Sequence, residues 1–462
     1  LRQAPKMARP TLFLLAAVSL ACLLAVEAGA PVFTVKLWTS PIPLAFDNRY
    51  TEEEKNTVRA LLPTVSDKTC LDFAENLPGP QLEYHLETNS SANCRSAVGD
   101  TRGSQSNHLI HLVKGCIHNY TILHETMHAL GFKHTDTRPD RDNYVEVAER
   151  VKTNDNYAIV PITEKTTDYG IPYEYNSLIH NPDSDVLKYK DPTYAPEFLG
   201  VRRVTFNDWK LINMHYKCSE KCTTRIVCQN GGYQHPRKCN QCVCSQFYKG
   251  TQCAEANVEQ LTAGQAKTLT SAVPHDEILI KKYLNEEFEN YVYNTSETRV
   301  IKAPEGTRIR VTINKLVDSL QNRYMHPSTG CTSNGFERAA EFADGDLTRV
   351  GRRICLASQS GYSFVSKSNV VGVVVYASPG LGFSANVTFT VEGTPSVPTT
   401  TTLPPTTVKP TTATTVVPTT TTTATKPVTV TTTTTTATTT KPITLPPVTT
   451  TTVKPADDVC DY

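Results

Sequence analysis

ILHETMHALGFKHTDTRPDRDNY, residues 122 to 144, decides how the rest of the chain is read. Within it His124, Glu125, His128 and His134 stand in the order HExxHxxGFxH. Residues four apart share one face of a helix, so His124 and His128 point two imidazoles at one metal ion, with Glu125 in reach of a water there. Leu123, Met127 and Leu130 give the same helix an apolar stripe to bury. Gly131 tolerates the left-handed conformation that ends a helix, which lets the chain turn back and offer His134 as a third ligand. Three protein ligands leave a position for water.

Neutral imidazoles do not cancel a metal's charge. Zinc in such a site lowers the pKa of bound water from ~15.7 to about 7, and Glu125 is placed to take the proton and pass it to a leaving amine. The implied reaction is peptide-bond hydrolysis. A chance HExxH on an ordinary amphipathic helix is the competing reading, and adding Gly131 and His134 at this spacing leaves it little room.

Past the third histidine, Arg138, Asp140, Arg141, Asp142 and Tyr144 match the E-x-x-R-x-D-R-D-x-Y continuation of the astacin signature, with Thr135 in place of its glutamate. Trp38 and Pro41-Ile42-Pro43 are similar to the W-x-x-x-(I/V)-P-Y start of that family's catalytic domain. The chain therefore resembles the astacins, and with its Thr-rich tail it looks similar to their nematode members. The resemblance implies an α+β metzincin/astacin-like catalytic domain over residues 29–218. It implies one Zn2+ per peptidase domain on His124, His128 and His134, with Glu125 catalytic. It also implies disulfides Cys70–Cys218 and Cys94–Cys116.

Two family positions differ. The Met-turn motif S-x-M-H-Y reads Ser177-Leu178-Ile179-His180-Asn181 here. Isoleucine is close to methionine in volume, an exchange that usually costs under ~1.5 kcal/mol. Asn181 replaces a tyrosine that the family uses to hydrogen-bond the oxyanion, and losing one such donor costs about 10²–10³ in rate. Thr135 stands where the family's glutamate receives the matured amino terminus, and residues 29–38 hold neither an acidic residue nor a cysteine to mask the metal. Together these point to a divergent branch without zymogen control.

The chain has 462 residues, a net charge of +1 and 20% charged residues, which suits several modules and not an electrostatic nucleic-acid binder. Met7-Ala-Arg followed by the apolar run Leu12 to Val26 reads as a secretory signal, so residues 1–28 are upstream residues plus signal peptide with cleavage after Ala28. The run is shorter than the ~20 residues of a spanning helix. Fourteen cysteines are present, and losing Cys22 with the signal leaves an odd number in an oxidising compartment. Cys460 is the expected odd one, and residues 456–462 read as the start of a truncated segment.

In the peptidase region, Thr51 and Glu54 form a capping box for a helix expected over Thr51–Leu62 and ended by Pro63. Leu82–Leu86 and His108–Val113 have strand character. A last helix is expected over Phe206–Lys217, capped by Thr205 or Asn207.

Residues 219–255 hold six cysteines around CQNGG at 228–232, a disulfide scaffold with fifteen possible pairings. Their order resembles a small EGF-like module, which implies Cys222–Cys239, Cys228–Cys242 and Cys244–Cys253. Short alternating strands over 256–393 read as an all-β sandwich. With Cys331 and Cys355 it resembles a CUB domain that keeps one of two usual disulfides, Cys331–Cys355. Residues 394–455 are a disordered, mucin-like Thr/Pro-rich stalk by composition. Sequons at Asn89, Asn294 and Asn386 are expected to carry glycans. Asn119, just before the metal helix, is expected to be too enclosed.

The functional expectation is a secreted, extracellular zinc endopeptidase acting on proteins, with matrix or cuticle partners through the EGF-like and CUB modules, no nucleic acid and no membrane span. The alternative is an astacin-like pseudoprotease that serves as a matrix or surface-coat binding protein. Glu125 argues against it, because metal binding alone needs only the histidines.

Overall fold

The computed structural model describes residues 35–89, 92–152, 167–181, 186–191, 203–274, 294–318, 331–333, 336–378 and 381–395. The expected signal peptide, residues 396–455 of the stalk and the segment 456–462 lie outside the described residues, as do Cys22 and Cys460.

In the N-terminal region a sheet is built from β1 (Ile42–Phe46), β2 (Phe73–Glu75), β3 (Leu82–Leu86), β4 (Arg95–Ser96) and β5 (His108–Leu112). The strand order is β2-β1-β3-β5-β4, parallel except for the edge strand β4. Alternation sets its faces: Leu82, Tyr84, Leu86, Ile110 and Leu112 are buried in one core, while Glu83, His85, Leu109 and His111 point the other way. Helices α1 (Glu52–Lys68) and α2 (Asn119–Ala129) add Val58, Leu61, Leu62, Ile122 and Met127 to that core.

Pro63 does not end α1. The capping box of Thr51 and Glu54 starts the helix, which continues through Pro63 to Lys68. An internal proline forfeits one hydrogen bond, but Leu61, Leu62 and Val65 on either side are all buried, and their packing outweighs the loss.

Next come β6 (Val145–Val147), the short α3 (Glu149–Lys152), β7 (Leu187–Tyr189) and α4 (Phe206–His215). Thr205 caps α4 with Asp208 in a reciprocal box, and Lys217, in the left-handed region at φ 50°, closes its end. Cys218 then bonds Cys70, and Cys94 bonds Cys116.

The cysteine-dense segment folds around a two-stranded ribbon, β8 (Tyr233–Gln234) and β9 (Cys242–Val243), with bonds Cys222–Cys239, Cys228–Cys242 and Cys244–Cys253. Asn230 and Gly231 carry the positive φ angles of its turn.

The remainder is two facing sheets. One holds β10 (Val258–Gln260), β12 (Asn294–Thr295), β13 (Arg299–Lys302), β15 (Thr332–Ser333), β16 (Phe336–Asp344), β17 (Arg352–Ile354) and β19 (Val370–Ala377). The other runs β11-β20-β14-β18, where β11 is Ala266–Val273, β14 Arg308–Asp318, β18 Ser363–Val365 and β20 Phe383–Glu392. Ile309, Val311, Ile313, Phe342, Val373, Phe383 and Phe389 interdigitate between them, and Cys331 bonds Cys355.

Three regions meet at one carboxylate. Glu341 of β16, fully buried, accepts from Arg203 at 2.9 Å, from Gln246 of the cysteine-dense module at 2.6 Å and from the Gly351 N–H at 3.3 Å. Nearby, Val350 N–H donates to Glu174 at 3.3 Å and Asn176 Nδ2 to Gly351 O at 3.4 Å. The ring of Phe247 lies against Gly372, where any side chain would collide at 2.8 Å.

Candidate metal centre

The last two turns of α2 bring the first two histidines together. His124 Nε2 lies 2.9 Å from His128 Nε2 and 3.2 Å from His134 Nε2, with all three residues buried. His128 Nδ1 donates to Phe132 O at 2.6 Å and His124 Nδ1 to Leu178 O at 2.9 Å, which fixes both tautomers with the Nε2 lone pairs turned inward. Burial, reinforced by the neighbouring imidazoles, lowers His124 well below its usual value; burial first of all brings His128 and His134 down to about 3. Three neutral imidazoles with converging nitrogens are the donor set of a borderline divalent cation such as zinc, and the residues present fit one.

Gly131 makes the return to His134 possible. Its φ is +108°, and an added Cβ would press on Val35 at 3.0 Å and on His215 at 3.1 Å. The end of α2 is clamped from two distant segments: Trp38 Nε1 donates to Ala129 O at 2.7 Å and Tyr216 Oη to Leu130 O at 3.0 Å. Glu125 sits one residue after His124 on the same helix and is fully buried.

Beneath the histidines runs the turn Ser177 to Asn181. Ile179, 2% exposed, is a packed apolar residue, and its carbonyl accepts from Thr135 N–H at 2.9 Å. His180 Nδ1 donates to Asn181 O at 2.8 Å and its Nε2 accepts from Tyr173 Oη at 2.8 Å. Asn181 is half-buried, with its main-chain N–H donating to Asp136.

Several residues that sequence reasoning passed over hold this turn. Asp208 takes Ser177 Oγ at 2.6 Å and the N–H groups of Leu178 and Thr205 at 3.0 and 2.9 Å, so the capping box of α4 also anchors the turn. The Thr205-x-x-Asp208 spacing was the available signal. Arg138 pairs with Asp140 at 2.7 Å and Asp168 at 3.2 Å, and Tyr144 stacks on Tyr173 at 4.4 Å. The Arg-Asp-Arg-Asp-Tyr run thus fixes the loop behind His134. Of the sequons, Asn89 is exposed, Asn386 Nδ2 donates to Thr270 on the neighbouring strand, and Asn119 is buried; the Asn294 side chain lies outside the description.

The fold and the three-imidazole site define a zinc-peptidase type of domain. Residues 32–217 match the family model of the astacin peptidases, and the chain belongs to the astacin family through this domain. That family uses one catalytic zinc ion. Zinc metalloproteinase nas-29 of Caenorhabditis elegans is 28% identical over 358 residues, 75% of this chain and 63% of that protein. Zinc metalloproteinase nas-23 of the same species is 26% identical over 369 residues, 77% of this chain and 65% of that protein. Zinc metalloproteinase dpy-31, also of Caenorhabditis elegans, is 33% identical over 238 residues, 49% of this chain and 39% of that protein. The chain thus spans just under two thirds of the length of the first two relatives.

Proposed function

We propose that the chain is a secreted zinc-dependent endopeptidase that hydrolyses peptide bonds of extracellular proteins. The observation that carries this reading is the convergence of three neutral imidazole nitrogens with Glu125 buried on the same helix. Zinc bound by His124, His128 and His134 supplies Lewis acidity and makes water acidic enough to lose a proton near neutrality. Glu125 takes that proton and returns it to the leaving amine. Leu178 O and Phe132 O hold the imidazoles of His124 and His128 in the tautomer that ligation requires.

Secretion is supported by six disulfides, a bond type that persists in oxidising compartments. No described helix is long and apolar enough to cross a membrane. The cysteine-dense segment 219–255 and the sandwich 256–393 are proposed as EGF-like and CUB-like modules that engage matrix or cuticle proteins, with 394–455 as a mucin-like stalk. Asn181, in place of an oxyanion donor, favours a second reading as a pseudoprotease that binds zinc and partners without turnover.

The full chain is assayed for bound zinc and for cleavage of an unstructured protein beside Glu125→Ala. Bound zinc with cleavage only when Glu125 is intact supports the enzyme. Zinc with no Glu125-dependent cleavage transfers the assignment to the pseudoprotease.

A further inference from the structure

On the face of the N-terminal sheet turned away from α2, a second group of metal-type donors gathers. His85 of β3 and His111 of β5 are direct partners in the parallel register, with ring centroids 5.2 Å apart. Glu87, two residues past His85 and so on the same face, lies with Oε1 2.7 Å from His111 Nδ1. One donor atom from each of the three falls within 4.8 Å of the others. Their side chains are only 29%, 23% and 20% exposed for His85, His111 and Glu87, which limits their rotamer freedom without closing the route to water.

We propose that His85, His111 and Glu87 form a second site for a first-row divalent cation, zinc above all, separate from the centre on α2. Two imidazoles with one carboxylate are borderline donors, which favour zinc over calcium or magnesium, whose preference is for oxygen alone. Register and alternation on two hydrogen-bonded strands fix the spacing, so little ordering remains for the ion to impose. Asp47 Oδ2, 3.0 Å from His85 Nδ1, and Glu83 Oε1, 3.4 Å from it, add negative charge beside the site.

Two guanidiniums hold the same donors when no cation does. Arg95 pairs with Glu87 Oε1 at 3.0 Å and Arg49 lies 3.1 Å from His85 Nε2, both from partly exposed positions that let them swing aside. The ion competes with Arg95 for Glu87. When bound it ties β3 to β5, next to the edge strand β4.

Zinc per chain is measured in the full-length protein, stripped with a chelator and re-equilibrated with zinc, beside the double variant His85→Ala/His111→Ala and Arg95→Ala. One zinc fewer in the double variant, with tighter retention of that same zinc in Arg95→Ala, supports the site. Equal zinc content in parent and double variant overturns it, whether the α2 centre is occupied or not, because only the difference is read. Should the double variant fail to fold, the zinc anomalous signal from zinc-soaked crystals of the parent decides. A peak at His85 and His111 supports the site, and its absence there rejects it.

Discussion

The main-chain N–H of Asn181 donates to Asp136 Oδ1 at 2.9 Å, and Asp136 is fully buried. This bond joins the segment that carries the third histidine to the turn below it, alongside the Thr135 N–H to Ile179 O bond. Asp136→Ala leaves a buried N–H without its acceptor, a loss worth about 1–3 kcal/mol. Differential scanning calorimetry is expected to show a lowered Tm, and competition with a chromophoric chelator a weakened hold on zinc. An unchanged zinc affinity would place the bond outside the support of His134.

Asn181 also offers a gain-of-function test. If an oxyanion donor is what this position lacks, Asn181→Tyr raises kcat at least about tenfold, part of the 10²–10³ that such a donor contributes. KM and zinc content are expected to change little. A kcat that stays level or falls shows that the surrounding turn does not present the phenol usefully.

Glu174 gives a pH dependence. Burial lifts its carboxyl to about 7, opposed by Arg349 and by the bonds from Asn207 and Val350. The folded chain therefore keeps a proton between the ordinary carboxylate pKa, near 4.5, and 7 that the unfolded chain has released, so stability from this group falls as pH rises through that window. Glu174→Gln removes the fall. In urea titrations the variant gains on the parent by at most roughly 3 kcal/mol between pH 5 and pH 8. A gain that does not grow with pH counts against the raised pKa.

Arg203 tests the three-way junction. Its guanidinium pairs with Glu341, whose side chain has no exposure to solvent. Arg203→Ala strips that buried carboxylate of a cation in direct contact with it, and breaking such pairs costs about 3–5 kcal/mol. Arg203→Ala combined with Glu341→Gln is expected to recover part of that loss. Denaturant midpoints of parent, single and double variants check both.

Much of this was readable beforehand, and for definite reasons. HExxHxxGFxH is a spacing rule, so the ligands of α2 followed from helix geometry, and the left-handed Gly131 from the need to turn. The limits of α1 were missed because local proline chemistry was weighed against nothing, whereas Leu61, Leu62 and Val65 on either side are all buried. Asp136, Trp38 and Tyr216 matter through partners 45, 91 and 86 residues away, and no local pattern encodes such distances. His85 and His111 went unpaired in the sequence for the same reason: only the β3–β5 register makes them neighbours.

Glu341 changes what counts as a part of this molecule. Its side chain belongs at once to the sandwich, through β16, to the peptidase region, through Arg203, and to the cysteine-dense module, through Gln246. A chain cut at Cys218 would retain every zinc ligand yet strip Arg203, Glu174 and Asn176 of their bonds to residues beyond the cut. The unit of chemistry therefore ends near residue 218, while the unit of folding runs on to about residue 395, and a crop made for convenience at the first boundary would dismantle the second.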